Sequence, residues 1–147
     1  MIAAASRLRK HADFQEVYKA GRKQFSKQMS YFFKLRLPPG TDEDTARIAG
    51  SGGPRVGLTV GKPIGKAVDR NRIKRRMREA VRGQLSLLQA PVDVVIHPRR
   101  SVIDLDFKAL EREVASAFRA IQRAAELHRQ PAKQLTPFQP AVERDAQ

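Results

Sequence analysis

The residues of this 147-residue chain best suited to chemistry are cations, and they are bunched. Arg70-Asn71-Arg72-Ile73-Lys74-Arg75-Arg76-Met77-Arg78 holds six cationic side chains in nine positions and no acid. Most are arginines, whose planar fork meets phosphate oxygens two at a time. This is chemistry for holding a polyanion. The groups that would cut one are harder to find. Metal-independent cleavage of a phosphodiester needs a paired general acid and base, and His11, His97 and His128 fall at a helix start, a strand end and a helix end with no pairing legible. Asp93, Asp104 and Asp106 are the carboxylates near one another in sequence. Two of them read better as helix caps and Asp93 as a strand-start residue than as a converging two-metal site.

The element that must position the cations is a helix expected from about Asp69 to Leu88, with Asp69 as its N-cap. On a wheel of 100° per residue with Ile73 at zero, Met77, Ala80, Val81, Gln84 and Leu88 fall within about 80°. Asn71, Arg75, Arg78 and Arg82 fall about 140–200° away, flanked by Arg72 and Arg76. One face docks on the body of the protein and the other offers guanidiniums one turn apart. A merely solvated face normally mixes Glu with Lys for i,i+4 pairing, and this one has almost no compensation. The positive end of the helix adds to the same site.

Charge over the whole chain agrees. The net charge is +14, and Lys62 to Arg82 carries nine basic and two acidic residues, half of that excess in one-seventh of the length. Like charges repel in a compact state, so a polyanionic partner is the economical explanation. There is no cysteine, which excludes disulfides and thiolate metal sites and allows a reducing compartment. No apolar run approaches the ~18 residues of a spanning helix, and Met1 to Arg7 lacks the pattern of a secretory leader. A cytoplasmic protein that avoids membranes and is monomeric on its own is expected.

The remaining elements follow from period and punctuation. Phe14, Val17 and Tyr18 fall at i, i+3, i+4 ahead of Gly21, a short amphipathic helix over about 12–20. From Met29 to Leu37 the pattern alternates, with Met29, Tyr31, Phe33, Leu35 and Leu37 on one face and Phe32, Lys34 and Arg36 on the other. Residues 38–54, with Asp42-Glu43-Asp44, read as a long mobile loop. Arg55 to Val60 and Val92 to Ile96 are further strands, joined through a tight connection at 61–68 and the basic helix. Asp104 or Asp106 caps a last helix striped by Phe107, Leu110, Val114, Phe118, Ile121 and Ala125. Residues 1–129 make one domain, and the proline-bearing tail 130–147 is expected to be loose. The order helix, strand, strand, helix, strand, helix is that of an α+β fold, a small sheet packed with helices in a two-layer sandwich.

Arg55-Val56-Gly57-Leu58-Thr59-Val60, Lys62-Pro63-Ile64-Gly65-Lys66-Ala67-Val68 and Arg70-Asn71-Arg72-Ile73-Lys74-Arg75, behind Asp13-Phe14-Gln15-Glu16-Val17-Tyr18-Lys19-Ala20-Gly21, together resemble the signature of the bacterial ribonuclease P protein family. The likeness runs over roughly residues 7–125. It implies a ribosomal-protein-like fold with a left-handed βαβ crossover, against the usual hand. It also implies the protein subunit of an endoribonuclease holoenzyme that removes the 5′ leader of precursor tRNA, with catalysis by the RNA subunit and Mg²⁺ and no catalytic residue on this chain. By the same likeness, Lys62, Lys66, Arg70, Asn71, Arg72, Lys74, Arg75, Arg76, Arg78 and Arg82 face the catalytic RNA. Phe14, Tyr18, Phe32, Lys34, Arg36 and Arg55 take the single-stranded leader of the precursor. Phe32 also earns its place independently, because it shares a face with Lys34 and Arg36, and an aromatic on a basic sheet face suits a base and its phosphate. Phe14 and Tyr18 read equally as ordinary core. The chain departs from the family pattern at Pro63, where a second lysine is common, and in its long loop and tail. A ribosomal protein with a similar basic domain and a general polyanion binder are the competing readings. Co-purification with one large non-coding RNA separates the first, and a preference for tRNA precursors over random RNA separates the second.

Overall fold

The structure is a computed structural model that describes residues 6–36 and 53–129. The expected loop 38–54, apart from Gly53 and Pro54, lies outside the described residues, as do Leu37, the first five residues and the tail from residue 130. The first helix, α1, runs His11–Ala20 and closes with the Gly21 N–H donating to Val17 O at 2.8 Å. Strand β1 (Arg22–Phe25) comes next, then β2 (Met29–Leu35) and β3 (Arg55–Leu58). Helix α2 spans Ala67–Gln84, β4 spans Val92–Pro98 and α3 spans Phe107–Arg129.

The strands form one sheet in the order β1-β2-β4-β3. β1 and β2 pair antiparallel, as do β2 and β4, while β3 runs parallel to β4. A parallel pair cannot be joined by a hairpin, and here α2 makes the crossover. Strand β1 was not expected. Its four residues are all exposed, so it has no buried face to leave an apolar period.

The alternation in β2 is realised: Met29, Tyr31 and Phe33 are buried. They meet Val92, Val94 and Ile96 of β4, then Ile73, Met77, Ala80 and Val81 of α2 and Leu110, Val114, Phe118 and Ile121 of α3. Each larger side chain in this layer contributes about 1.5–3 kcal/mol by leaving water. The basic helix is therefore clamped by its apolar stripe, as the wheel requires. The opposite sheet face carries a smaller cluster of Leu8, Val17 and Val95, bordered by Phe14, Tyr18 and Phe32. So α1 lies on the far side of the sheet from α2 and α3, adding a partial third layer to the expected two.

The start of α2 differs from expectation. Its N-cap is Lys66, with no side-chain capping bond. Asp69 sits inside the first turn, 3.3 Å from Arg100 Nη1, where a carboxylate still complements the helix dipole. The chain enters through Gly65 at φ 152°, a backbone that side chains avoid. The last helix does begin with a capping aspartate: Asp106 Oδ2 accepts from the Ala109 N–H at 3.3 Å. Strand β4 runs two residues past the expected Ile96 and pairs as far as Pro98, opposite Met29.

Candidate nucleic-acid interface

Burial of Ile73 and Met77 leaves the other side of α2 to solvent. Asn71, Arg72, Arg75, Arg78 and Arg82 are exposed, and Arg70 and Lys74 half-buried. Lys62 and Lys66 stand exposed in the turn leading into the helix. Within this row the cations are not equivalent. Arg70 Nε donates to Gly65 O at 3.2 Å, bracing the entry turn. Arg82 Nη2 lies 2.8 Å from Glu79 Oε2, and that contact holds the Glu79 carboxyl below its usual range.

Arg76 is engaged away from this face. Its guanidinium donates to Leu105 O and lies 5.9 Å from the centre of the Phe107 ring. Three residues on from Ile73, it falls about 60° from that buried residue, so rather than flanking the basic face it turns toward the start of α3 and ties the two helices together. Arg100, which the sequence did not single out, stands near the α2 N-terminus, where its Nη1 donates to Ile64 O at 2.8 Å and reaches Asp69.

The second surface is the sheet face beside α1. Tyr18 Oη lies 3.0 Å from His97 Nε2 and 3.1 Å from Thr59 Oγ1. The three rings of Tyr18, Phe32 and His97 meet at 5.0–5.6 Å between centres, Tyr18 edge-on to both others. Such contacts fix ring orientation. His97, read from the sequence only as a histidine at a strand end with no pairing legible, is the neighbour that orders these rings. Its place was legible in parity, since it shares a face of β4 with Val95. Burial, aided by the Lys23 ammonium, pushes its pKa below the ordinary histidine value. A neutral imidazole with its proton on Nδ1 accepts from the phenol at Nε2, and with its proton on Nε2 it donates to the phenol oxygen.

Phe14 packs over β3: a Cβ built on Gly57 would meet Phe14 Cζ at 2.5 Å. Beside it opens a cavity of about 250 Å³ lined by Arg7, Leu8, Phe14, Gly57, Lys74 and Arg78, among others. Lys74 and Arg78 belong to the basic helix and Phe14 to the aromatic helix, so the cavity joins the two surfaces around the β3 edge.

Arg36 and Arg55, expected on the leader path, converge instead on buried Asp93. Arg36 Nη1 lies 2.5 Å from Oδ1, and Arg55 offers Nε and Nη2 at 2.8 Å to the two carboxylate oxygens. Arg55 also reaches Asp13 of α1 at 3.5 Å. These bonds, the one to Asp93 first, raise the Arg55 pKa. A buried carboxylate must be paired, and the pairing ties β2, β3 and β4 together beside the cleft. Phe32 and the half-buried Lys34 do share the cleft face.

Known proteins resemble this chain in both sequence and fold. The family model described as ribonuclease P matches residues 2–122. The ribonuclease P protein component of Thermobifida fusca is 32% identical over 123 residues, covering 84% of this chain and 80% of its relative. That of Bacillus velezensis is 37% identical over 114 residues, covering 78% and 87%. Among solved structures, the ribonuclease P protein of Thermotoga maritima superposes with a TM-score of 0.59 at 23% identity, covering 78% of this chain and 96% of that one. The Staphylococcus aureus protein gives 0.54 at 24% identity, covering 84% and 97%. At such identity the superpositions speak for the fold.

Proposed function

The chain belongs to the ribonuclease P protein family, the protein components of the endoribonuclease that processes tRNA 5′ ends, and from that premise we propose how its two surfaces divide the work. The exposed face of α2, with Lys62, Lys66, Arg70, Asn71, Arg72, Lys74, Arg75, Arg78 and Arg82, docks on the catalytic RNA. The cleft of Phe14, Tyr18, Phe32 and Lys34 takes the single-stranded 5′ leader of precursor tRNA. Arg36 and Arg55 shape the rim of that cleft through Asp93, and Arg76 holds α2 on α3. The protein acts as a monomer joined to its RNA, in the cytoplasm. Among the described residues, no helix is long and apolar enough to cross a membrane.

One observation carries this reading. Asn71, Arg72, Arg75 and Arg78 are exposed on one side of α2 while Ile73 and Met77 on the other are wholly buried. The helix is thus fixed by packing with its phosphate-binding groups turned outward and already spaced.

Cleavage is assigned to the RNA subunit and Mg²⁺ held by it. The carboxylates that stood close in sequence are used structurally, Asp93 in ion pairs and Asp106 as a cap. Among the described residues, no three His, Cys, Asp or Glu gather where they could hold a metal ion.

Reconstitution tests the proposal. Added to a bacterial ribonuclease P RNA at low Mg²⁺, the protein restores leader removal, whereas alone it leaves precursor tRNA intact. Failure to restore cleavage with an RNA that is active at high Mg²⁺ overturns the assignment. So does cleavage by RNA-free protein that survives repurification.

A further inference from the structure

Strand β1 lies at the edge of the sheet, and nothing assigned to either surface so far uses it. It carries an unusual pair. Phe25 is 65% exposed, one of the few large apolar side chains so placed among the described residues. Lys23 places its ammonium 4.8 Å from the centre of the Phe25 ring and 5.2 Å from that of Phe32. The register explains the geometry. Lys23 pairs directly with Phe32, and Phe25 is two residues further along the same face, so Phe25 and Phe32 are diagonal neighbours about 7–8 Å apart. The hairpin that carries Phe25 is anchored, because Glu113 of α3 accepts from Ser26 Oγ at 2.7 Å and from the Gln28 N–H at 2.5 Å.

Resting on the leader-cleft reading above, we infer that Lys23 and Phe25 form a second stacking position on the leader path, taking the nucleotide adjacent to the one on Phe32. Two aromatic rings with one ammonium between them match the unit base–phosphate–base. Each base finds a π-face, and the connecting phosphate finds a compact cation on a flexible stem. Before RNA arrives, the ammonium rests over the two rings and has little to lose by turning to a phosphate. Arg22 adds charge to the same strand, its guanidinium 5.1 Å from the Phe33 ring on the other face. An exposed phenylalanine in so basic a setting suits a single-stranded nucleic acid better than an apolar protein partner.

The test measures precursor affinity for the reconstituted holoenzyme while the 5′ leader is shortened one nucleotide at a time. With long leaders, F25A weakens binding about fivefold or more. That loss vanishes once the leader is too short to pass Phe32, whereas F32A still weakens binding at that length. F25Y retains affinity and F25L does not. If F32A depends on the leader and F25A does not, or if F25L binds as well as wild type, the second position is wrong and the cleft stands. If neither F25A nor F32A shows any leader dependence, the cleft reading falls and takes this inference with it. If F25A leaves every precursor unchanged but alters the sedimentation of the free protein, the β1 edge is a contact between copies of the chain and the inference is overturned.

Discussion

The Phe14 ring fills the space that a side chain at residue 57 would need. A Cβ on Gly57 would meet Phe14 Cζ at 2.5 Å, Cε2 at 2.9 Å and Leu8 Cβ at 3.2 Å. The glycine is what lets α1 lay an aromatic ring on β3. Gly57→Ala should push the ring outward while leaving every polar group of the cleft in place. We expect a stability loss of about 1–3 kcal/mol, the usual cost of overpacking, read from denaturant midpoints. Precursor tRNA should then bind more weakly to the holoenzyme with mature tRNA little affected. Equal loss for both would mean that Phe14 serves packing alone.

Asp93 tests the ion cluster. Its side chain is 7% exposed, against 17% for Arg36 and 31% for Arg55. Removing one member of a buried pair leaves the other charges uncompensated, which costs about 3–5 kcal/mol. The arginines retain some water contact, so Asp93→Asn should fall near the lower end, at about 3 kcal/mol. Arg55→Lys should cost less but not nothing, since lysine cannot give both of the arginine's bonds to Asp93. A Asp93→Asn variant as stable as wild type would show that the cluster does not hold the three strands.

The basic helix separates into two kinds of arginine. Arg72→Ala or Arg75→Ala should weaken association with the catalytic RNA by about 1–3 kcal/mol and lower the salt slope by about one, with the protein's own stability unchanged. Arg76→Ala should do the reverse. Its loss releases the Leu105 carbonyl and the Phe107 contact, so thermal stability should fall while the salt slope stays near wild type. Measuring both quantities for all three variants decides the matter. A salt slope lowered equally by Arg76→Ala would return that residue to the RNA face.

What the sequence made legible depended on repetition. The alternation in β2 and the stripes of α2 and α3 repeat a buried residue often enough to reveal a period, and the structure buries those residues. Strand β1 repeats nothing, being short and exposed throughout. The start of α2 was misplaced because Asp69 suits an N-cap by type, whereas the backbone turns earlier, at Gly65. The cluster of Arg36, Arg55 and Asp93 and the pairing of Tyr18 with His97 join residues far apart in the chain. Sheet register brings the first three together and the packing of α1 on the sheet face brings Tyr18 to His97, and a single sequence carries no local trace of either pairing. Those contacts decide which cations are spent on structure. The candidate RNA face could therefore be found from sequence, but its individual members could not be sorted.

His97 supplies a prediction in pH. Burial, then the Lys23 charge, lowers its folded pKa below the ordinary value of 6.5. Between that value and the lower folded one, the unfolded chain binds the proton that the folded chain refuses. Stability therefore rises with pH through this window and falls on acidification. Above 6.5 both states are neutral at this site and the contribution is flat. Protonation also puts a second cation beside Lys23 in the half-buried ring cluster, so the aromatic cleft should loosen over the same range. His97→Gln should remove this part of the acid sensitivity, read as the difference between the two proteins' stability curves from pH 7.5 to about 5. Leader-dependent affinity of the wild type should fall together with the stability difference. Parallel curves for the two proteins across that range would show that His97 titrates alike in the folded and unfolded states, against its burial beside Lys23.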